Sequence, residues 1–337
     1  LEAIHTKRVY LFTKNGFTWV VSIPLKKPVI VTSKQSAAFS ESSLLDTWCR
    51  IHMGKSISVP ANTQDTLANL RKWKLVQDNS GPFRVYRDTK GNIYSSVTHI
   101  LGQTSDRTGL EQWVARTDKF YGAGAANQER DVAAKRGNLA HNQAEYLLKT
   151  AQRLARSTAN KRNSLKWDEQ GLARIPSPIT QWALNTVHPN IPAVGWSASG
   201  YARGLSGWIK SNVTEIFASE FSIHHPAGFA GTCDALVSLK GHSGLMICDW
   251  KTSNSNKLPY MNSDHQYVHQ LGAYSLGLQN LTSLRPVGGA VVLARRTGDP
   301  DVYYVNKEEL EHAERAYLER VKIYNEQQAG ATVGVLV

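Results

Sequence analysis

Two aspartates and a lysine, Asp234, Asp249 and Lys251, stand in the pattern D-x14-D-W-K. Both acids interrupt apolar segments, Asp234 within 231–237 and Asp249 within 245–252. A carboxylate set in an apolar strand needs a partner, and a hard divalent cation is one that two such groups can share. Such an ion neutralises a phosphate and lowers the pKa of an attacking water, so the pattern points to phosphodiester hydrolysis. On a strand, Asp249 and Lys251 fall on one face, which brings the amine beside the carboxylates to orient water or stabilise developing charge. Trp250 then points away, although its backbone carbonyl is an additional oxygen ligand in this reading. A D-x-K tripeptide alone is commonplace in surface turns. Here a hydrophobic run leads into it, a second acid-bearing strand precedes it, and glycines at 241 and 244 suit a hairpin between the two.

The elements that must position these residues follow from periodicity. Strands are expected at 214–223, 229–239 and 244–250, then a helix at 263–279, strands at 287–294 and 301–305, and a helix at 307–326 with Leu310, Ala313, Tyr317, Val321 and Tyr324 inward. Upstream, helical patterns cover 96–102, 108–122, 126–154, 178–187 and 197–213. In the longest of these Ala140, Ala144, Leu147 and Ala151 make a core stripe, with His141 and Glu145 beside it. Residues 155–177, rich in Arg, Lys, Ser and Asn, read as an exposed basic loop, either a DNA-facing lid or a simple connection. The order implies an α/β fold with a central mixed β-sheet flanked by helices.

Residues 1–82 read as a small, separate α+β unit: strands at 9–12, 17–23 and 29–31, helices at 41–53 and 63–73, and a cluster of turn residues at 78–82. The main domain is expected to run from 83 to 330. Net charge is +12 over 337 residues, and residues 1–90 hold 14 Lys and Arg against 6 Asp and Glu, so two thirds of the excess lies in that first quarter. A polyanionic partner is one reading of such an excess and a solubilising surface the other. Phe17, Trp19 and Trp73 could stack on bases or fill a core. Three cysteines without CxxC spacing give neither a disulfide framework nor a zinc or iron–sulfur site, and a reducing intracellular compartment fits them. No apolar run is long enough to span a membrane.

Further segments extend the pattern: 94–101 (Y-S-S-V-T-H-I-L), Gly137-x3-His141-x3-Glu145, Glu220, Gly231-x2-Asp234, the run I-C-D-W-K-T-S at 247–253, and Gln270-x3-Tyr274. In this order they resemble the PD-(D/E)XK nuclease superfamily, specifically its RecB-like exonuclease branch and within it the mitochondrial genome maintenance exonucleases. The resemblance covers roughly 94–325 and leaves residues 1–90 outside. It implies a restriction-endonuclease-like fold and a Mg²⁺- or Mn²⁺-dependent deoxyribonuclease acting on single-stranded DNA ends, in settings of repair, replication or recombination. It further implies that His141 joins Asp234, Asp249 and the Trp250 carbonyl around the metal, and that Lys251 is the catalytic lysine. Gln270 and Tyr274 would orient that lysine or contact the DNA backbone, while Glu220 and Glu145 would supply negative charge behind the ligands. The host cell, bacterial, phage-infected or mitochondrial, and any protein partner are left open.

Bland alternatives exist for several of these residues. A helical His141 can be an ordinary packed histidine, and Gln270 and Tyr274 can simply fill the core. His224-His225 and His265-x3-His269 lack a matched carboxylate or cysteine in the sequence and read as structural or DNA-facing. Rival functions are an endonuclease of the same fold acting on duplex or branched DNA, and a catalytically inactive DNA-binding module.

Overall fold

The computed structural model describes the backbone of residues 7–14 and 17–24, and then residues 65–68, 70, 75–81, 83–191 and 195–333. The chain divides into two compact units, Leu1–Ser58 and Val59–Val337. In the first, β1 (Lys7–Lys14) and β2 (Phe17–Pro24) pair antiparallel, with Lys14 opposite Phe17. The expected strand at 29–31, the helix at 41–53, most of the helix at 63–73 and the side chains of Phe17, Trp19 and Trp73 lie outside the described residues.

The second unit begins earlier than the expected boundary at 82/83. β3 (Val76–Asp78) lies before that point yet pairs with β4 (Val85–Arg87), which pairs with β5 (Ile93–Ser96), so these strands belong to the main sheet. Ser96 caps the helix that follows, its hydroxyl accepting from the His99 N–H, and α1 runs Val97–Thr104. α2 (Thr108–Tyr121) and α3 (Ala125–Lys161) come next.

The segment 155–177 is not one open loop. The alanine stripe continues through Ala155 and Ala159, both buried, and carries α3 to Lys161. The four-residue spacing outweighs the intervening Arg, Ser, Thr and Asn, which face outward. After it, β6 (Lys166–Trp167) and β7 (Ala173–Arg174) form a short hairpin before α4 (Ser177–Thr186) and α5 (Trp196–Asn212).

β8 (Val213–His225), β9 (Phe229–Leu239) and β10 (Met246–Thr252) form an antiparallel succession with β9 in the middle. α6 (Gln266–Thr282) crosses to β11 (Gly288–Ala294), parallel to β10, and β12 (Asp301–Val305) closes that edge before α7 (Lys307–Val333). The result is one mixed eight-stranded sheet, β12-β11-β10-β9-β5-β4-β3, with β8 also paired to β9.

Helices cover both faces. Met246, Cys248 and Trp250 of β10, with Ala290, Val292 and Ala294 of β11, pack in one core with α3, α4 and α5. The alternate residues Ile247, Val291 and Leu293 pack in the other with α1, α6 and α7. This parity places Asp249 and Lys251 on the α6 face. Leu147 of α3 is fully buried, and a side chain of that size contributes about 1.5–3 kcal/mol through apolar burial. Among the described residues no helix is long and apolar enough to cross a membrane.

Candidate active site

β9 serves three neighbours. Along one edge it pairs with β8 over its whole length. Along the other, Phe229 and Ala230 pair with β5, while Ala235, Leu236 and Val237 pair with β10. Residues 231–234 lie between those two pairings, and the catalytic candidates gather there. β10 leaves β9 after Cys248, so Asp249, Trp250 and Lys251 continue only along β11.

Asp234 fills the gap with its side chain. Its Oδ2 accepts the Trp250 N–H at 2.6 Å, replacing the main-chain acceptor that a continuing ladder would supply. Its Oδ1 lies 3.5 Å from Nδ1 of His141 on α3. Asp249, 2% exposed, ion-pairs through Oδ2 with the Lys251 amine and through Oδ1 accepts Gln270 Nε2 at 3.0 Å. The Gln270 amide also reaches the Tyr274 hydroxyl at 2.6 Å, one turn along α6. Gln270 therefore orients Asp249, where the sequence pointed to the lysine or the DNA backbone as its partner. Tyr274 owes its place to Gly231: a Cβ there would come within 2.9 Å of the ring and 3.1 Å of Val97.

Glu220 stands nearer the centre than expected. It lies on β8, between Ser219 and Phe221, whose partners Ala235 and Cys233 flank Asp234. Its φ of 47° is left-handed, a conformation that costs a non-glycine residue roughly 1–3 kcal/mol and so needs the surroundings to hold it. One ligand-capable atom each from His141, Glu220 and Asp234 lie within 4.8 Å of one another. Glu220 thus faces the site directly. Glu145 keeps an outer position: it lines the cavity and ion-pairs with Lys149.

Three acids, Asp234, Asp249 and Glu220, crowd against two bases, His141 and Lys251, at the buried end of a cavity. Burial, then the Asp234 charge, pushes Glu220 up to about 8. Burial, reinforced by Asp234 and opposed by Lys251, pushes Asp249 up to about 6. Burial would raise Asp234 as well, but His141, Lys251 and the Trp250 N–H hold its carboxyl below the ordinary range. Burial disfavours the charged forms of His141 and Lys251, yet Asp234 and Asp249 keep both above their usual values. Acids crowded in this way are relieved by a cation, so the trio of one imidazole and two carboxylates fits a divalent ion. Trp250 contributes its peptide N–H to Asp234, while its ring lies in the core against Trp208, centroids 5.8 Å apart.

These groups line a cavity of about 520 Å³. Its walls include residues that the motifs did not reveal: Asn138 and Asn142 from α3, Thr232 from β9, and Gln77, Asn79, Arg84 and Tyr86 from the β3–β4 pair. The α3 residues had a signal, since Asn138, His141, Asn142 and Glu145 share one helical face. The β3–β4 residues had none. His224 is buried, and His225 stacks on Phe229 at 5.0 Å, outside the cavity. Cys233 and Cys248 are buried free thiols.

No family model and no curated protein matches the chain. Among solved structures, a similar chain, "Crystal structure of SSO0001", is 17% identical, with 51% of this chain and 73% of that one covered at a TM-score of 0.23, a likeness too slight to bear on fold or function.

Proposed function

We propose that this chain is a metal-dependent deoxyribonuclease with a PD-(D/E)XK core, an exonuclease acting on single-stranded DNA ends. The observation that carries the reading is the buried pair Asp234 and Asp249, joined by Lys251, at the point where β10 parts from β9 and a polar cavity opens. His141, Glu220 and Asp234 would hold Mg²⁺ or Mn²⁺, with Asp249 alongside. When bound, such an ion neutralises phosphate charge and makes water a better nucleophile.

The remaining work falls to the chain's own groups. Lys251, kept protonated by Asp249 and Asp234, presents a fixed positive charge to the scissile phosphate and stabilises the charge that grows on it. Gln270 fixes the rotamer of Asp249, and Tyr274 fixes Gln270. The buried wall formed by Tyr274 and Val97 limits water on that side. The preference for single-stranded ends rests on the resemblance to the RecB-like exonucleases, carried above all by Gly137-x3-His141 and Gln270-x3-Tyr274.

The test uses end-labelled linear and circular single-stranded DNA with Mg²⁺. Linear substrate is expected to shorten from an end and the circle to stay intact. Lys251→Ala and Asp249→Asn should abolish cleavage while binding changes only a few-fold. Undiminished cleavage by both variants would remove the site assignment, and an opened circle would convert the reading to an endonuclease.

A further inference from the structure

The histidine pair His265-x3-His269 separates in the fold. His265 caps α6, its Nδ1 accepting the Tyr267 N–H at 3.2 Å. His269 meets one near neighbour in the chain and one distant residue: one ligand-capable atom each from Asp264, His269 and His312 lie within 4.8 Å of one another. His312 Nε2 sits 2.7 Å from Asp264 Oδ1, and both side chains are open to solvent. His269 is 3% exposed, and its Nε2 is buried without a hydrogen-bond partner. Buried polar atoms are nearly always satisfied, so a buried imidazole that has an unpaired nitrogen and is grouped with a histidine and a carboxylate leaves a place for a ligand.

We propose that Asp264, His269 and His312 form a second cation site, one that takes a transition ion of the zinc class. Two imidazoles and one carboxylate with an open solvent side match a three-ligand zinc site completed by water, whereas Mg²⁺ favours an all-oxygen shell. Arg320 stands against the site, donating to His269 Nδ1 at 3.2 Å, but it is also anchored to the Thr104 carbonyl at 2.8 Å. Because Arg320 donates to Nδ1, the proton of the neutral ring stands on Nε2; ligation through Nε2 would move it to Nδ1, so Arg320 would give up its bond to His269 and keep the Thr104 contact. The ligands come from the loop before α6, from α6 and from α7, so the ion ties the two helices together next to Gln270. The site shares no ligand with the nuclease cleft and stands whether or not the cleft cuts DNA.

The experiment uses the 337-residue chain with Asp234→Asn, which removes one ligand from the cleft trio. Calorimetric titration with Zn²⁺ should show one ion per chain, and a hundredfold excess over Kd should raise the melting temperature by about 5 °C. Co²⁺ in its place should give the visible absorption of an imidazole-ligated ion. Adding Asp264→Ala and His312→Ala, both at solvent-exposed side chains, should weaken Zn²⁺ binding by about tenfold or more and remove the melting shift. Unchanged stoichiometry and affinity in that triple variant, or no Zn²⁺ bound before the two substitutions are added, would overturn the proposal.

Discussion

Asp234 does two jobs, and two substitutions separate them. Asp234→Asn and Asp234→Ala both delete the negative charge, so both lose the attraction to His141 and Lys251 and both should be inactive. They differ in the acceptor. Asparagine can still take the Trp250 N–H through its amide oxygen, whereas alanine leaves that buried donor with nothing on the unpaired edge of β9. An orphaned buried N–H costs about 1–3 kcal/mol. Because charge effects are common to the two variants, the difference between them isolates this bond and a small cavity. At this chain length each kcal/mol is worth about 2 °C, so Asp234→Ala should melt about 2–6 °C below Asp234→Asn. Calorimetry in EDTA, with urea titration as a second probe, measures it. Coincident melting curves for the two variants would refute the claim that the carboxylate substitutes for a sheet acceptor.

Gly231→Ala drives a methyl to within 2.9 Å of the Tyr274 ring, so kcat on single-stranded DNA should fall more than KM changes, with a stability loss of about 1–3 kcal/mol. Gly272→Ala places a Cβ 2.5–2.6 Å from the α7 backbone at Ala313 and Glu314, and should lower the urea midpoint while leaving the cleavage pattern of the surviving folded protein unchanged. The metal-free protein should lose stability as pH rises from 6 to 9. Glu220, pushed up to about 8 by burial and Asp234, and His141, also raised, each favour the fold in their protonated forms, and that contribution fades as pH climbs through their folded-state values. Urea titrations of the wild type and Glu220→Gln check this, the variant being expected to show the flatter profile.

The D-W-K strand was legible because alternation fixes which side chains share a face, and Ile247, Asp249 and Lys251 do. The β9–β10 hairpin was legible from Gly241 and Gly244, both of which adopt positive φ. Three features were not. The last two turns of α3 were hidden by Arg156, Ser157, Thr158 and Asn160, residues typical of loops, although Ala155 and Ala159 kept the stripe. β3 and β4 are three residues each, too short for any period to declare itself, yet they wall the cavity. The placement of Glu220 against Asp234 depends on cross-strand register and on a left-handed backbone, neither of which a motif encodes.

The divided edge of β9 also bears on the order of assembly. Its pairings with β8 and β10 join neighbours along the chain, but its pairing with β5 links Ser96 to Ala230 across about 130 residues. Closing so long a segment is entropically slow, whereas hairpins form early. The acids would then be in place on a β8–β10 meander before the wall that faces them exists, and pulse-labelled amide exchange during refolding would show β8–β10 protected ahead of β5. The cleft is the seam where the last part of the sheet docks, so a partly folded chain carries Asp234 and Asp249 without the cavity they line.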